Sequence, residues 1–219
     1  MPVPVMISLG TILMVLVIGF SGKKFNVSMV KRIILAIVLT VMGVLGTKLM
    51  TFIENGDFSG LSFFGAVLFT PFLMIPVALL LKIRISDCLD LCAPAECAML
   101  FIMKIDCQIH GCCFGKVVAI VKVHPVRFPS QLVESATAVV VLCILLILLY
   151  KSNQHGLIYP WYLLIYGVVR FALNLFRETT PFIWNIPAGN FWALICVITG
   201  SLILLLVNIR RHTSRLQSA

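Results

Sequence analysis

Charge is what this chain has least of. Only 11% of its 219 residues are charged, and just eight are acidic, where a soluble domain carries about 25% charged residues. With 61% hydrophobic residues and a mean hydropathy of +1.10, that scarcity excludes a disordered chain, a collagen, a small disulfide scaffold and a soluble enzyme with one anchor. There is no low-complexity linker and no convincing internal repeat, so residues 1–219 are expected to form a single domain. No basic region precedes the first apolar run and no small-residue cleavage site follows it, which predicts a retained span instead of a cleaved signal peptide. A CxxC motif is also missing, which removes the commonest signature of a thioredoxin-like redox domain.

What is present is a series of apolar runs of about the length a helix needs to cross hydrocarbon. They predict an all-α polytopic membrane protein with about seven transmembrane helices, near residues 5–20, 33–52, 61–81, 88–105, 129–150, 156–176 and 187–209. The net charge of +9 is not a nucleic-acid signal, because the basic residues lie mostly in short segments between the runs. One alternating set of segments holds Lys23, Lys24, Lys31, Arg32, Lys82, Arg84, Lys151, Arg210, Arg211 and Arg215, and the other holds Lys116, Lys122, Arg127 and Arg177, with Lys48 at its edge. The positive-inside rule then predicts the N-terminus outside and the C-terminus in the cytoplasm. The longest pieces between runs, 114–128 and 177–186, fall on the outer side and suit caps over a cavity.

Several ionisable residues interrupt the runs: Asp90, Glu96, Lys104, Asp106, Glu134 and Arg170. Each costs about 3 kcal/mol at mid-membrane on insertion scales, so each needs a partner or a function. Asp90, Cys97 and Lys104 recur every seven residues and share a helix face. Tyr166, Arg170, Asn174 and Arg177 share another, and Gln131 and Glu134 stand three apart at the start of the fifth run. Asp90 and Glu96 can equally be packing ion pairs. Arg170 and Glu134, toward the outer half, form a better candidate site, because a guanidinium pairs two phosphate oxygens at once.

Eight cysteines remain to be explained. Cys143 and Cys196, and Cys88, Cys92 and Cys97, read as small packing residues. The segment from Asp106 through Cys107, His110, Gly111, Cys112, Cys113 and Gly115 to Lys116 is different, since it ends the fourth run with two glycines. Three readings stay open there. His110 beside Cys112 could activate a thiolate; Cys107, His110, Cys112 and Cys113 could bind a soft metal, although the spacing matches no common zinc pattern; or Cys107 could pair with Cys112 in a disulfide.

The order of these motifs resembles the prolipoprotein diacylglyceryl transferase family. Asp90, Leu91, Cys92, Ala93 and Pro94, then Lys104, then the His110-Gly-Cys-Cys-Phe-Gly115 turn resemble its signature helix. Pro129, Ser130, Gln131, Leu132, Val133 and Glu134 resemble its proline–glutamine–leucine–tyrosine–glutamate motif, and Tyr162 to Tyr166 with Gly167, Arg170, Phe171, Asn174 and Arg177 resemble the arginine helix. Gly60, Leu61, Ser62, Phe63, Phe64 and Gly65 resemble a glycine–methionine–serine–phenylalanine–histidine–glycine segment. The resemblance implies a seven-span enzyme of the bacterial cytoplasmic membrane, active face outward. It would move diacylglycerol from phosphatidylglycerol, or a similar phospholipid, to the thiol of a prolipoprotein or another secreted acceptor, without a cofactor or metal.

The departures from the family pattern bear on chemistry. The family's histidine falls on Phe64, its signature arginine on Lys104, its asparagine on Cys107, its glutamate on Cys112, a later acid on Asn174, and an early tyrosine on Leu9 beside Gly10. The resemblance therefore implies a catalytic set of His110, Cys112, Cys113, Lys104, Arg170 and Glu134. Substrate would be held by Gln131, Tyr166, Asn174, Arg177, Gly111 and Gly115. The alternatives are a non-catalytic relative that binds lipid or scaffolds assembly, and a membrane thiol redox or metal protein.

Overall fold

The computed structural model describes residues 3–121, 124–178 and 182–217. They form seven helices: α1 (Val3–Ser21), α2 (Met29–Asn55), α3 (Phe63–Leu80), α4 (Ile85–His110), α5 (Ser130–Lys151), α6 (Ile158–Asn174) and α7 (Ala188–Gln217). Each expected run carries one helix. α2 and α4 extend past their runs at both ends, because helix formation does not stop where the apolar residues stop; it stops at a cap. α2 ends on Gly56 at φ 78° and α4 on Gly111 at φ 64°, both left-handed positions that favour glycine. Pro71 and Pro76 lie within α3 and Pro94 within α4, without ending either helix.

Two small antiparallel hairpins occupy the longest connections, those whose lengths suit caps over a cavity. β1 (Val117–Val121) pairs with β2 (His124–Arg127), and β3 (Phe182–Ile183) pairs with β4 (Ile186–Pro187). The Val and Ile residues of β1 favour extended backbone. β3 and β4 are joined by Trp184 and Asn185, both at positive φ (47° and 64°), as a two-residue I′ hairpin turn requires. Lys122, counted above in this connection, lies outside the described residues.

Among the described residues, four helices are long and apolar enough to cross a membrane: Met29–Asn55, Phe63–Leu80, Ser130–Lys151 and Ala188–Arg210. α1 is shorter over its apolar part, α6 has 17 residues, and α4 carries Asp87, Asp90, Glu96, Lys104 and Asp106. Outward faces are apolar, as with Leu132, Val140 and Ile147 on α5 and Ile198, Leu202 and Leu206 on α7. The molecule is a helical, multi-pass membrane protein.

α4 is the central helix, packed against α1, α3, α5 and α6. Cys88, Leu91, Cys92 and Ala95 join a core with α1, α2 and α3, while Ala93, Cys97 and Leu100 join a second core with α5 and α6 that also holds Cys196. Cys143 instead faces outward on α5. Asp90 is a structural group. Its carboxylate accepts the N–H groups of Gly156, Ile158 and Tyr159 at 2.6, 2.9 and 3.0 Å and so caps the start of α6 from a neighbouring helix. Glu96 is buried beside the Thr70 and Tyr162 hydroxyls.

The connections gather at two ends. At one, Lys24 Nζ donates to the Leu149 and Ser152 carbonyls at the end of α5, Arg32 donates to Gly19 O and Val27 O, and His155 Nδ1 meets Asp87 Oδ1 at 2.5 Å. The other end carries the turn after α4, both hairpins and the cavity described next.

Candidate active site

The last turns of α4, the first turns of α5 and the second half of α6 converge on one carboxylate. Lys104 Nζ lies 2.5 Å from Glu134 Oε2, Arg170 lies 2.5 Å from Glu134 Oε1, and Arg177 lies 3.7 Å from the same oxygen. All but Arg177 are largely buried, with side-chain exposures of 8%, 4% and 11% for Lys104, Glu134 and Arg170. Three cations thus meet on one acid. Arg170 Nε and the Asn174 amide nitrogen are buried donors without a hydrogen-bond partner among the described residues, and a buried donor is costly to leave unmade.

These groups face a cavity of about 1000 Å³ lined by Lys104, Arg170, Asn174 and Arg177, by Thr47, Thr51 and Glu54 of α2, by Ser62 and Phe64, and by Cys107, Cys112 and Cys113. Phe64 packs edge-on to Tyr166 at 5.7 Å between ring centres, and the Arg170 guanidinium lies over its face, also at 5.7 Å. Tyr166 sits behind this wall with Glu134 and Arg170, around a smaller void.

The turn after α4 is pinned from α5 and α6. Gly111 and Cys113 take positive φ (64° and 61°) and the Cys112 N–H returns to Cys107 O at 3.0 Å. Gln131 Nε2 donates to Cys112 O at 2.6 Å and Ser130 Oγ to Cys113 O at 2.7 Å. Gly115 is pressed so closely on Phe128 that a Cβ would strike its backbone and side chain. Gly115 bridges to Arg177, and the Lys116 N–H donates to Phe176 O at 2.9 Å. Arg127 pairs with Glu178 across the same seam. Gln131, Gly111 and Gly115 thus shape the turn without lining the cavity.

All eight cysteines are free thiols, so the Cys107–Cys112 disulfide is not formed. Instead the sulfurs of Cys107, Cys112 and Cys113 lie within 4.8 Å of one another. A hydrogen bond from Cys107 holds the Cys113 thiol down to about 5, with help from the charges of Lys104 and Arg177 and against the effect of burial. Partial burial raises Cys112.

His110 is brought to a different place. Its ring is half-exposed and turns back on its own helix, Nδ1 lying 3.0 Å from Asp106 Oδ1 and 3.1 Å from Asp106 O, and it does not line the cavity. Sequence reasoning missed Glu54. α2 runs beyond the expected end of its apolar run and carries this acid onto the cavity wall, where Ser62 Oγ donates to it at 3.1 Å and the charges of Arg170 and Arg177 reach it.

Lys104, Arg170 and Arg177 thus gather on Glu134 beside a cavity of about 1000 Å³, inside a helical bundle that defines a multi-pass membrane protein. The family model of prolipoprotein diacylglyceryl transferase matches residues 4–206. The chain belongs to that family, a family of membrane transferases of lipoprotein biogenesis. No curated protein matches it.

Proposed function

We propose that the protein is a seven-span, single-domain enzyme of the bacterial cytoplasmic membrane whose cavity opens toward the outer face. It transfers the diacylglyceryl part of an anionic phospholipid of the phosphatidylglycerol type to the thiol of a prolipoprotein or another secreted acceptor. Arg170, Arg177 and Lys104 hold the head-group phosphate. Glu134 fixes Lys104 and Arg170 relative to each other, and Asn174 supplies a further donor. Tyr166 and Phe64 back the arginine, while Gln131, Gly111 and Gly115 keep the cysteine turn at the cavity edge. The observation that carries this reading is the meeting of Lys104 and Arg170 on Glu134, with Arg170 Nε and the Asn174 amide still unpartnered.

Chemically, the thiolate attacks the glyceryl carbon, the carbon–oxygen bond breaks, and the departing glycerophosphate gains negative charge. Cations already in place stabilise that charge without reorganising. His110 does not serve as the base in this reading, because it faces away from the cavity.

Mass spectrometry of lipids co-purified with the protein, before and after incubation with a lipobox peptide, tests the proposal. Anionic phospholipid should be retained and glycerophosphate released, and Arg170→Ala should lower release by about a hundredfold. Unchanged turnover in Arg170→Ala would remove the phosphate clamp. The absence of a histidine among the cavity-lining residues favours a second reading, a lipid-binding relative without catalysis. It predicts retained lipid and no glycerophosphate with any acceptor.

A further inference from the structure

We infer that Cys107, Cys112 and Cys113 form a three-thiolate site for zinc or a similar soft divalent ion, with its fourth position open to the cavity for the acceptor thiol. This rests on the transferase reading and supplies what that reading lacks, a means of deprotonating the acceptor.

The three sulfurs lie within 4.8 Å of one another. Zinc–sulfur bonds of about 2.3 Å in a tetrahedron put sulfurs about 3.8 Å apart, so binding needs only a small contraction. The backbone is already committed to this grouping. Left-handed Gly111 and Cys113 fold the chain back on the end of α4, and Gln131 and Ser130 hold the carbonyls of Cys112 and Cys113 from α5. Three protein ligands and one open position are the mark of a catalytic zinc site, whereas a structural site is closed by four. All three cysteines line the same cavity as Arg170 and Lys104, so metal, acceptor and lipid phosphate would meet there. Lys104 and Arg177 lie within electrostatic reach of Cys113 and offset the charge of three thiolates on one divalent ion.

The step balances. The acceptor thiol binds the ion and its proton passes to water, since a coordinated thiol is deprotonated outright. The sulfur lone pair forms the S–C bond to the glyceryl carbon, and the C–O bond breaks with its electron pair going to the phosphate oxygen. A diester monoanion becomes a monoester dianion, held by the cations.

The test is metal analysis of the full-length protein purified in detergent without chelator, then loaded with Zn(II) or Co(II) under reducing conditions. About one ion per chain is expected. Retention should fall at least tenfold in each of Cys107→Ser, Cys112→Ser and Cys113→Ser, with helical circular dichroism unchanged. In the Co(II) protein, the sulfur-to-cobalt absorption near the ultraviolet should strengthen when a lipobox peptide is added, and not with the same peptide carrying serine for cysteine. Metal content indifferent to the three substitutions, a cobalt spectrum indifferent to the peptide thiol, or isolation of the chain with a Cys107 disulfide under the same conditions overturns the site. Phospholipid retention is measured on the same samples. Lipid kept without metal refutes this site alone, whereas metal bound without lipid refutes the phosphate cavity.

Discussion

Phe64 stands where the family resemblance implies a histidine, and its ring packs on the Arg170 guanidinium. It is 4% exposed and lies between Tyr166 and the Arg170 guanidinium. A phenyl ring cannot move a proton, but its face attracts a cation, so the exchange turns a chemical position into a positioning one. Removing that face by Phe64→Leu should weaken phospholipid retention by roughly 2- to 30-fold, from about 0.5–2 kcal/mol of lost cation–π attraction. Phe64→Tyr, which keeps the ring, should retain more lipid than Phe64→Leu; quantifying phospholipid per mole of purified protein checks the order. At this scale the sequence was informative where burial cost is high. A lysine, a glutamate and an arginine sunk in apolar runs had to find one another, and Lys104, Glu134 and Arg170 do. It was uninformative where only helical phase decides. Cys107, three residues beyond Lys104, returns to nearly the same face of α4, but His110, six residues beyond, is turned by about 240° and meets Asp106 instead.

Helix packing decides whether the cavity exists at all. α2 and α3 both line it, through Thr47, Thr51, Glu54 and Phe64, and they approach closely where Gly46 and Gly65 oppose each other. A Cβ on Gly46 would fall 2.6 Å from the Gly65 carbonyl oxygen, and one on Gly65 would strike the Gly46 carbonyl and, at 2.7 Å, Met50. Small residues of this kind let helix backbones touch in a membrane, where there is no hydrophobic force to drive them together. Gly65→Ala should therefore push α3 off α2 and destabilise the protein by about 1–3 kcal/mol, the usual cost of overpacking, while also lowering lipid retention. Thermal unfolding in detergent with lipid analysis of the same preparation reads both. Apolar runs made the helices legible, yet their limits were not, because capping by Gly56 and Gly111 sets the ends; Glu54 was overlooked for that reason. The hairpins were hidden for another. Their strands are a few residues long, and a signal of that length is lost among flanking apolar helices. Asp90 shows the converse case, a charge in a span that serves α6 as a cap and leaves the cavity to others.

The whole molecule sorts its basic residues by end. Lys23, Lys24, Lys31, Arg32, Lys82, Arg84, Lys151, Arg210, Arg211 and Arg215 flank one set of helix ends, while Lys48, Lys116, Arg127 and Arg177 stand at the cavity end among the described residues. Two of the cavity-end four are committed elsewhere. Arg127 pairs with Glu178 and Arg177 reaches Glu134, so the free cations flanking the helices are fewer at this end than at the other. At the opposite end Lys24 and Arg32 also satisfy helix C-terminal carbonyls, which complements the helix dipoles. Each basic residue near an anionic leaflet is worth about 1 kcal/mol, so the imbalance should hold the cavity on the outer side. Introduced cysteines report this directly. Lys23 and Lys116 are both exposed, and Lys23→Cys and Lys116→Cys can be made where Cys112 and Cys143, the exposed native thiols, are serine. A membrane-impermeant maleimide should label Lys116→Cys in intact cells and Lys23→Cys only after permeabilisation. The reverse pattern would place the cavity in the cytoplasm, away from any secreted acceptor, while labelling of both positions from outside would mean that an odd number of the helices between them, α2 to α4, does not cross the membrane.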